Sequence, residues 1–419
     1  MDTVTRRRFL LASGVAGGAA IVSGAVGLGL NELLETAGRG RADGIDPGSG
    51  TLVFVTLYGG NDGLNTLVPY TDKAYYAARP GLACPADQVL KINDRLGLNG
   101  AMPGLKRLWD AKRLAVIPGV GYPKPDRSHF RSMDIWQTGS PSEVLTTGWV
   151  GRWLDAIEAP AETAVSFENV LPPLLAGQKR AGACVSVNGL KLPKGISSKM
   201  VASLGRAAGG ESELQARAAQ SYNDLLRVEG LVQQAAKGPA AAVLPSQPAR
   251  PATATGGDSV LSAQLSQVAM CIEAGVPTSV YSVSLGGFDM HADELEAQQR
   301  LLGQLDTALG AFSDRMQRTD AGRNVVVVVY SEFGRRVRAN ASQGTDHGTA
   351  GPVFVFGPAV KGGLYAEHPS LTDLDDGDLK RTTDYRDVFG EVMRAVLKIE
   401  PERYISGHKF AEMNFIAYE

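Results

Sequence analysis

Short runs of apolar, often β-branched residues alternate along the chain with longer segments of amphipathic periodicity. The apolar runs cover residues 51–57, 114–117, 164–167, 183–187, 278–285, 324–330 and 353–356. Helical periodicity covers residues 102–112, 129–137, 148–158, 212–237, 259–274, 293–317 and 384–397. Runs that are apolar on both faces are typical of strands in a parallel sheet that helices cover. The alternation therefore predicts an α/β fold, a doubly wound, mainly parallel sheet sandwiched by helices.

One stretch, residues 235–257, breaks this alternation. It is rich in Ala, Pro, Gly and Thr, shows no periodicity and separates two strong helical patterns. Such a composition indicates an exposed, mobile loop. We therefore predict one α/β domain over residues 43–419, with an insertion and this Ala/Pro-rich loop around residues 188–257.

The first residues of the chain carry a targeting pattern. Three arginines at positions 6–8 precede Phe9 and Leu10, and an uncharged Gly/Ala-rich stretch follows to position 30. An arginine pair before a weakly hydrophobic stretch is typical of a twin-arginine export signal, which we assign to residues 1–42. The alternative, a single membrane anchor, has sufficient length but contains many glycines.

This signal predicts a periplasmic or extracellular protein. Its partners would include the twin-arginine export machinery, and no stable membrane insertion is expected after export. The pathway carries folded proteins, and one physical reason to fold first is to acquire a chosen metal in the cytoplasm, because affinity alone favours the wrong ions. The signal therefore favours a bound metal.

Composition and charge argue against several other classes of function. The chain has 42 Lys and Arg against 44 Asp and Glu, and no basic cluster follows the N-terminus, so no nucleic-acid partner is expected. Cys84, Cys184 and Cys271 are far apart, so neither a disulfide framework nor a cysteine metal site is indicated. The sequence also lacks GxSxG, Walker A, HExxH and a strand-linked GxGxxG, and no organic cofactor is expected.

Polar motifs follow several of the predicted strands, at the edge where an open parallel sheet binds its ligands. The candidate metal ligands in these motifs are Asp62, Asp289, His291, Glu332, Asp346 and His347. Carboxylates together with imidazoles favour Zn, Mn or Fe over Mg or Ca alone, and one or two divalent ions are expected. The chemistry that matches such a set is a two-metal hydrolase of phosphate-type esters.

These motifs also have structural alternatives. Asp62 lies in an Asn-Asp-Gly sequence that forms tight turns, and Asp289 could cap a helix while the histidine two residues later lies at the surface. Glu332 follows a run of valines and needs a cation, which either a metal or Arg335 would supply. The adjacent Asp-His pair within residues 344–351, flanked by small residues, is the most specific signal.

A second group of candidates lies at the start of the helix predicted over residues 129–137. Ser128 is a candidate nucleophile, because the dipole and free N–H groups of a helix N-terminus favour an anion. His129 follows it, and Arg127 and Arg131 are candidates to hold a phosphate or sulfate group. The alternatives are that Ser128 caps the helix and that the two arginines lie in solvent.

A series of motifs in a fixed order resembles a known protein family. The motifs are GGNDGLNTLVPY, RSHFRSMDIWQTG, GGFDMH, SEFGR, GTDHGTAG, VKGGLY and TTDYRDVFGEV, behind the twin-arginine leader. Together they resemble the exported bacterial family called domain of unknown function 1501, from about residue 51 to the C-terminus. That family is similar to a branch of the alkaline phosphatase and sulfatase superfamily, which implies an alkaline phosphatase-like α/β sandwich with a two-metal centre.

The resemblance also implies roles for individual residues. Asp62 would correspond to the superfamily's first-strand metal ligand, and the pair at 346–347 to its adjacent Asp-His pair. Asp289 and His291 would supply the second metal, and Ser128 would occupy the position of the nucleophile. The sequence departs from the superfamily pattern in three ways: the Asp-x-His spacing is shorter, no motif marks a third imidazole, and the cysteine of the sulfatase signature is absent.

Two functions remain open from the sequence. The first is an exported metal-dependent hydrolase of phosphate or sulfate esters that acts on a small anionic ester. The second is a non-catalytic exported protein that keeps the phosphatase-like fold and binds a metal or a partner in the cell envelope. The unassigned third imidazole favours the second function, and the retained Asp-His pair favours the first.

Overall fold

The structure is a computed structural model that describes residues 50–187, 213–236 and 261–417, together with residues 203 and 205. The expected export signal and most of the expected insertion, including its Ala/Pro-rich loop, lie outside the described residues. Within the described part of the chain, no helix combines the length and the apolar character needed to cross a membrane.

The longer strands and helices form on the segments that the sequence predicts. The strands are β1 Thr51–Leu57, β2 Leu67–Val68, β3 Leu90–Lys91, β4 Gly97–Leu98, β5 Leu114–Gly121, β6 Ala164–Ser166, β7 Ala183–Cys184, β8 Val280–Leu285, β9 Val325–Ser331, β10 Gly351–Phe356, β11 Gly363–Leu364, β12 Leu374–Asp375, β13 Asp378–Leu379 and β14 Thr383–Asp384. The helices are α1 Gly63–Thr66, α2 Lys73–Ala78, α3 Pro103–Asp110, α4 His129–Thr138, α5 Trp149–Ala156, α6 Glu213–Ala235, α7 Leu261–Glu273, α8 Glu294–Met316 and α9 Tyr385–Val392, which the π-helical turn Met393–Leu397 continues. Short 3₁₀ turns cover Ala161–Thr163, Pro173–Leu175, Asp320–Gly322 and Pro401–Arg403. The sequence does not predict β2–β4, β11–β14, α1 and α2, because elements this short show no period.

A nine-stranded sheet forms the centre of the protein. Its strands lie in the order β11-β5-β10-β9-β1-β8-β6-β7, and β14 pairs with β5 outside this order. Each pair of neighbours is parallel, except that β10 is antiparallel to both β5 and β9. The predicted mainly parallel sheet is therefore confirmed, with one reversed strand.

Helices bury both faces of this sheet, which is why its strands are apolar throughout. In β1, Val53 and Val55 pack in a core with residues of α3, α7 and α8. The alternate residues Leu52 and Phe54 pack in a second core with residues of α4, α5 and α9. Each such side chain stabilises the fold by about 1.5–3 kcal/mol on burial. The predicted doubly wound arrangement, with helices on both faces, is confirmed.

The reversal of β10 determines where the segment between β9 and β10 lies. An antiparallel neighbour begins at the same edge of the sheet at which the previous strand ends. Residues 332–350 therefore leave and re-enter the sheet at the carboxyl end of β9. The same edge receives the ends of the parallel strands β1, β5 and β8. Four chemically distinct loops thus meet at one edge of the sheet.

Candidate metal centre

Three imidazoles and one carboxylate converge at this carboxyl edge, and we call them the imidazole–carboxylate cluster. They are His129, Asp289, His291 and His347. His129 is the first residue of α4, after β5; Asp289 and His291 follow β8; and His347 lies between β9 and β10. Segments far apart in sequence meet here because the ends of parallel strands share one edge.

Oδ1 of Asp289 and Nε2 of His347 each lie within contact distance of every other ligand atom of the cluster. Oδ1 of Asp289 is 3.0 Å from Nε2 of His291, 3.1 Å from Nε2 of His347 and 3.4 Å from Nε2 of His129. Nε2 of His347 is also 3.1 Å from Nε2 of both other histidines. All three imidazoles therefore direct the same ring nitrogen at one carboxylate oxygen.

Hydrogen bonds on the far side of the rings determine the tautomers of two of these histidines. Nδ1 of His129 is 2.8 Å from Oε1 of Glu332, and Nδ1 of His347 is 2.8 Å from the carbonyl oxygen of Arg127. Both oxygens only accept, so each Nδ1 carries the hydrogen and each neutral ring directs the lone pair of Nε2 into the cluster. Nδ1 of His291 faces Oδ1 of Asp346 at 3.5 Å. Lone pairs opposed at these distances repel each other unless a metal ion or a proton lies between them.

The donor set fits a divalent metal ion. Ligand atoms about 2.0–2.1 Å from a tetrahedral ion lie about 3.3–3.4 Å apart, and octahedral neighbours lie about 2.8–3.0 Å apart. The separations of 3.0–3.4 Å measured around Asp289 and His347 fall within this range. Metal-binding histidines typically donate their other N–H to a carboxylate or a backbone carbonyl, as His129 and His347 do here. The side chains of Asp289 and His291 are 40% and 47% exposed, so the cluster faces solvent on one side. Catalytic metal sites keep such an open side, whereas structural sites are closed.

A buried arginine keeps the carboxylate of the cluster ionised. Arg335 donates to Oδ1 of Asp289 at 2.8 Å and also to the carbonyl oxygens of Gly60, Phe288 and Thr345. Burial raises the pKa of Asp289, but the hydrogen bond and charge of Arg335, together with the contact with His347, outweigh it and hold this pKa well below its usual range. Asp289 is therefore available as an anionic ligand at every physiological pH.

The two inner histidines differ in basicity. Burial lowers the pKa of His129, but its hydrogen bond and charge contact with Glu332 outweigh this and raise the pKa overall. Burial also lowers the pKa of His347, and there the contacts with the Arg127 carbonyl and Asp289 do not compensate. A neighbouring carboxylate thus makes His129 the more basic ring of the pair.

The structure brings together only part of the set predicted from the sequence. Asp289, His291 and His347, predicted as metal ligands, all belong to the cluster. His129, predicted as a catalytic residue, contributes the third imidazole that no motif marked. Glu332 is a predicted ligand whose carboxylate instead orients His129 and accepts hydrogen bonds from Gly59 N and Ser331 Oγ.

Asp346, which precedes His347 in the Asp-His motif, also lies outside the cluster. Asp346 is 61% exposed; its Oδ1 accepts from Nδ2 of Asn340 and lies 3.5 Å from Nδ1 of His291. It faces the outer nitrogen of a candidate ligand, as Glu332 does. Glu332 and Asp346, both predicted as metal ligands, thus contact the outer nitrogens of His129 and His291 and not the point at which the Nε2 atoms converge.

Asp62 is not part of the cluster, because a buried arginine neutralises it. Nη1 of Arg79 lies 2.5 Å from Oδ2 of Asp62, and both side chains are buried. The same guanidinium donates to the carbonyl oxygens of Arg336 and Val337. Asp62 is predicted as a ligand because it follows β1 in the sequence. That position does not reveal that Arg79, 17 residues later, pairs with it in the fold.

A second buried carboxyl group accompanies Asp62. Oε1 of Glu294 and Oδ1 of Asp62 have no hydrogen-bond partner among the described residues if both groups are ionised. Oε2 of Glu294 accepts from the hydroxyl of Thr345 at 2.6 Å. Burial, followed by the charge of Asp62, raises the pKa of Glu294 far above its usual range. A proton shared between Glu294 and Asp62 satisfies both oxygens and leaves one negative charge to pair with Arg79.

Replacing Glu294 by glutamine is expected to stabilise the protein at neutral and alkaline pH. The folded protein retains a proton on Glu294 that the unfolded chain releases near its ordinary pKa, so the free energy of unfolding of the wild type falls as the pH rises above about 5. Glutamine can donate to Asp62 and accept from Thr345 without that proton. We expect Glu294→Gln to be about 1–3 kcal/mol more stable than the wild type at pH 8 and equal to it at pH 5.

The measurement is urea unfolding of chelator-treated protein at several pH values. Glu296→Gln, an exposed position on the same helix, is the control and should leave the pH dependence unchanged. A Glu294→Gln variant with the wild-type pH dependence would show that Glu294 is ionised in the folded protein.

The predicted catalytic arginines do not reach the cluster with their guanidinium groups. Arg127 is paired with Asp376 and Asp378, and Arg131 is paired with Asp134. Arg127 instead acts through its backbone carbonyl, which holds His347. The two side chains predicted to hold an anion are therefore bound to carboxylates of the protein itself.

Ser128 occupies the N-cap position of α4, but its side chain makes no capping hydrogen bond. The residue is exposed, and its backbone N–H donates to Oδ1 of Asp126 at 2.7 Å. It lies between Arg127, whose carbonyl holds one histidine of the cluster, and His129, which belongs to it. The hydroxyl of Ser128 therefore does not cap the helix, which was the structural alternative for this residue.

Comparison with known proteins gives one family match and several distant structural likenesses. The model of a family described as protein of unknown function (DUF1501) matches residues 50–413, which include the whole cluster. No curated protein sequence matches the chain. Among solved structures, an alkaline phosphatase superfamily protein from Vibrio parahaemolyticus is 10% identical, covering 85% of this chain and 68% of that chain at a TM-score of 0.40. The C-terminal periplasmic domain of EcEptC from Escherichia coli is 11% identical (89% and 91% coverage, TM-score 0.41), and the lipoteichoic acid synthase LtaP from Listeria monocytogenes is 10% identical (92% and 79%, TM-score 0.35).

Proposed function

The chain belongs to the DUF1501 family of proteins of unknown function, and we propose that it is an exported metal-dependent hydrolase of phosphate or sulfate esters. The observation that carries this proposal is the convergence of three Nε2 atoms on Oδ1 of Asp289 at an edge open to solvent. A divalent ion held there would supply positive charge that polarises the ester and stabilises the negative charge developing on its oxygens. An imidazole-rich set favours Zn, Mn or Fe, and one or two ions are expected.

The surrounding residues of the chain hold the ligands in position. Glu332 and the Arg127 carbonyl keep the hydrogen of His129 and His347 on Nδ1, so that Nε2 stays free to bind. Arg335 fixes the carboxylate of Asp289. The ring of Phe333 packs 4.9 Å from the His129 ring and 5.0 Å from the His347 ring, measured between centroids, and excludes water from that side of the cluster. These contacts support a preorganised centre.

Ser128 is the proposed nucleophile. In this role its Oγ bonds to the phosphorus or sulfur as the bond to the leaving oxygen breaks, its hydroxyl proton passes to water, and a second water later cleaves the serine ester. The free hydroxyl at the start of α4 supports this role, because the capping function that would otherwise occupy it is unused. The alternative is direct attack by water.

Replacing Ser128 by alanine distinguishes these two routes. If Ser128 attacks, the variant should lose about a hundred-fold or more in kcat while it binds metal as the wild type does. Its thermal stability should also be unchanged, although N-cap serines usually contribute about 1 kcal/mol, because this side chain makes no capping bond. Steady-state kinetics, metal analysis and thermal unfolding provide the three readouts, and an unchanged kcat would assign the attack to water.

Replacing Glu332 by glutamine should weaken metal binding without unfolding the protein. The amide keeps an oxygen acceptor for His129 but removes the charge that makes this ring a strong ligand, so we expect about a ten-fold loss of metal affinity. Asp346→Asn is the matched comparison: its contact is longer and exposed, and its effect should be smaller. Competition with a zinc chelator measures both. Equal effects of the two variants would contradict the assigned contact between Glu332 and His129.

The twin-arginine motif supports the proposed location. On this proposal the export machinery carries the folded, loaded protein to the periplasm or the outside of the cell, where it acts on a small anionic ester. Neither a nucleic-acid partner nor stable membrane insertion is part of the proposal.

Hydrolysis of 4-nitrophenyl phosphate and 4-nitrophenyl sulfate by protein loaded with Zn, Mn or Fe tests the function itself. We expect turnover of at least one of these esters that disappears on chelation and returns when the ion is restored. Stoichiometric metal binding without turnover of either ester, or of a wider ester panel, would favour the non-catalytic alternative of an exported metal-binding or envelope-interaction protein.

A further inference from the structure

A cavity of about 440 Å³ lies beside the imidazole–carboxylate cluster. Its walls include Tyr122, Pro123, Leu379 and Phe333, and its rim carries charged side chains. Phe333 is shared between the two sites, because its ring also packs against the rings of His129 and His347. The cluster and the cavity are therefore neighbours on either side of one aromatic residue. The volume is that of a typical small-ligand pocket.

Two cations at this cavity are available to a ligand. Lys124 and Arg381 are exposed and line the cavity, and within the described part of the chain neither has an ion-pair or hydrogen-bond partner. The third cation of the lining, Lys380, is paired with Asp373. One carboxylate, Asp375, lines the cavity as well. The two unpaired cations contrast with Arg127 and Arg131, whose guanidinium groups are already held by carboxylates.

The backbone presents both cations in defined positions. Lys124 lies between Pro123 and Pro125 and has a φ of 55°, a left-handed conformation that costs free energy for a non-glycine residue. The hydroxyl of Tyr122, which accepts from Asp126 N at 3.0 Å, closes this loop. The Cβ atom of Arg381 lies 3.4 Å from the position that a Cβ on Gly121 would take, so its side chain starts directly over the end of β5.

We infer that this cavity binds a second anionic group of the substrate through Lys124 and Arg381. The inference rests on the proposed function, because it assumes that the scissile phosphate or sulfate ester lies at the cluster. The substrate class is then an ester on a body about the size of one sugar ring, which packs on Phe333 and Leu379 and carries a further phosphate, sulfate or carboxylate group. Cationic rims with apolar walls suit such amphiphilic anions.

The experiment compares the binding of glucose 1-phosphate and glucose 1,6-bisphosphate by calorimetry. Both probes are titrated into the full chain, once loaded with zinc and once treated with chelator. We expect the bisphosphate to bind about ten-fold more tightly than the monophosphate, and this preference to disappear in Lys124→Gln/Arg381→Gln.

The control variant is Lys398→Gln/Arg318→Gln. Lys398 is also an exposed lysine with positive φ, and both control residues follow helices that end at the amino edge of the sheet, away from the cavity. The control should keep the preference for the bisphosphate. Equal binding of the two probes by the wild type, or a preference that survives in Lys124→Gln/Arg381→Gln, would overturn the inference.

The outcome for this cavity can be separated from the outcome for the proposed function. A preference that depends on Lys124 and Arg381 in chelator-treated protein supports the cavity assignment even if no ester is hydrolysed. Conversely, ester hydrolysis by a protein that binds both probes equally supports the proposed hydrolase and shows that the cavity does not recognise the substrate. Thermal unfolding of each variant verifies that the comparison is made on folded protein.

Discussion

Replacement of His347 by alanine, or of Asp289 by asparagine, is expected to abolish both metal binding and hydrolysis. His347 contacts every other member of the cluster, as Asp289 does: its Nε2 lies 3.1 Å from the ligand atoms of His129, His291 and Asp289. Without it the remaining donors no longer surround one point. We expect a loss of turnover of at least about a thousand-fold, corresponding to several kcal/mol of transition-state stabilisation.

Metal content per chain, measured by elemental analysis after desalting, is the first readout. The second is the rise in melting temperature on adding zinc. Zinc raises the melting temperature only if it binds the folded protein more tightly than the unfolded chain. Both should vanish in the two variants. His408→Ala is the matched control, because His408 is paired with Asp387 outside the cluster and its loss should leave the metal content unchanged. A His347→Ala variant that keeps its full metal content would show that the metal lies elsewhere.

The fold could be predicted from the sequence because the sheet is buried on both faces. Strands such as β1 and β9 carry continuous apolar runs, and these runs alternate with amphipathic helices. The reversed direction of β10 could not be predicted, because an apolar run has no direction. That reversal brings residues 332–350 back to the carboxyl edge. It therefore controls the position of His347 without leaving a mark in the hydrophobic pattern.

The sequence predicts at which edge of the sheet the site lies, but it does not predict which side-chain atoms converge there. Sequence position after a strand places Glu332, Asp346 and His347 at one edge, but it does not say which groups face inward. Burial and competing partners decide this: Glu332 is 1% exposed and satisfied by His129, Ser331 Oγ and a backbone N–H. The sequence shows His129 only as a catalytic candidate beside Ser128 at the start of a helix, and the tertiary structure brings its Nε2 to Asp289.

Arg79 is expected to make the largest single contribution to stability among the polar residues around the site. Its guanidinium is fully buried against Asp62, and two backbone carbonyls accept from it. Arg79→Met would keep most of the side-chain volume but leave Asp62 and Glu294 as a buried acidic pair without a cation. Removing one partner of a buried ion pair costs about 3–5 kcal/mol, which is a large part of the stability of a typical domain.

Asp62→Asn is expected to cost less, because the chain contains a replacement for the lost charge. Glu294 shares a proton with Asp62, and without the carboxylate of Asp62 its pKa falls, so that it ionises and pairs with Arg79. We therefore expect a loss below about 2 kcal/mol for Asp62→Asn at pH 7, and non-additive behaviour when it is combined with Arg79→Met. Urea unfolding of the chelator-treated variants gives these free energies. If Arg79→Met and Asp62→Asn lowered the free energy of unfolding equally, Glu294 would not replace the charge of Asp62. That result would contradict a proton shared between Glu294 and Asp62.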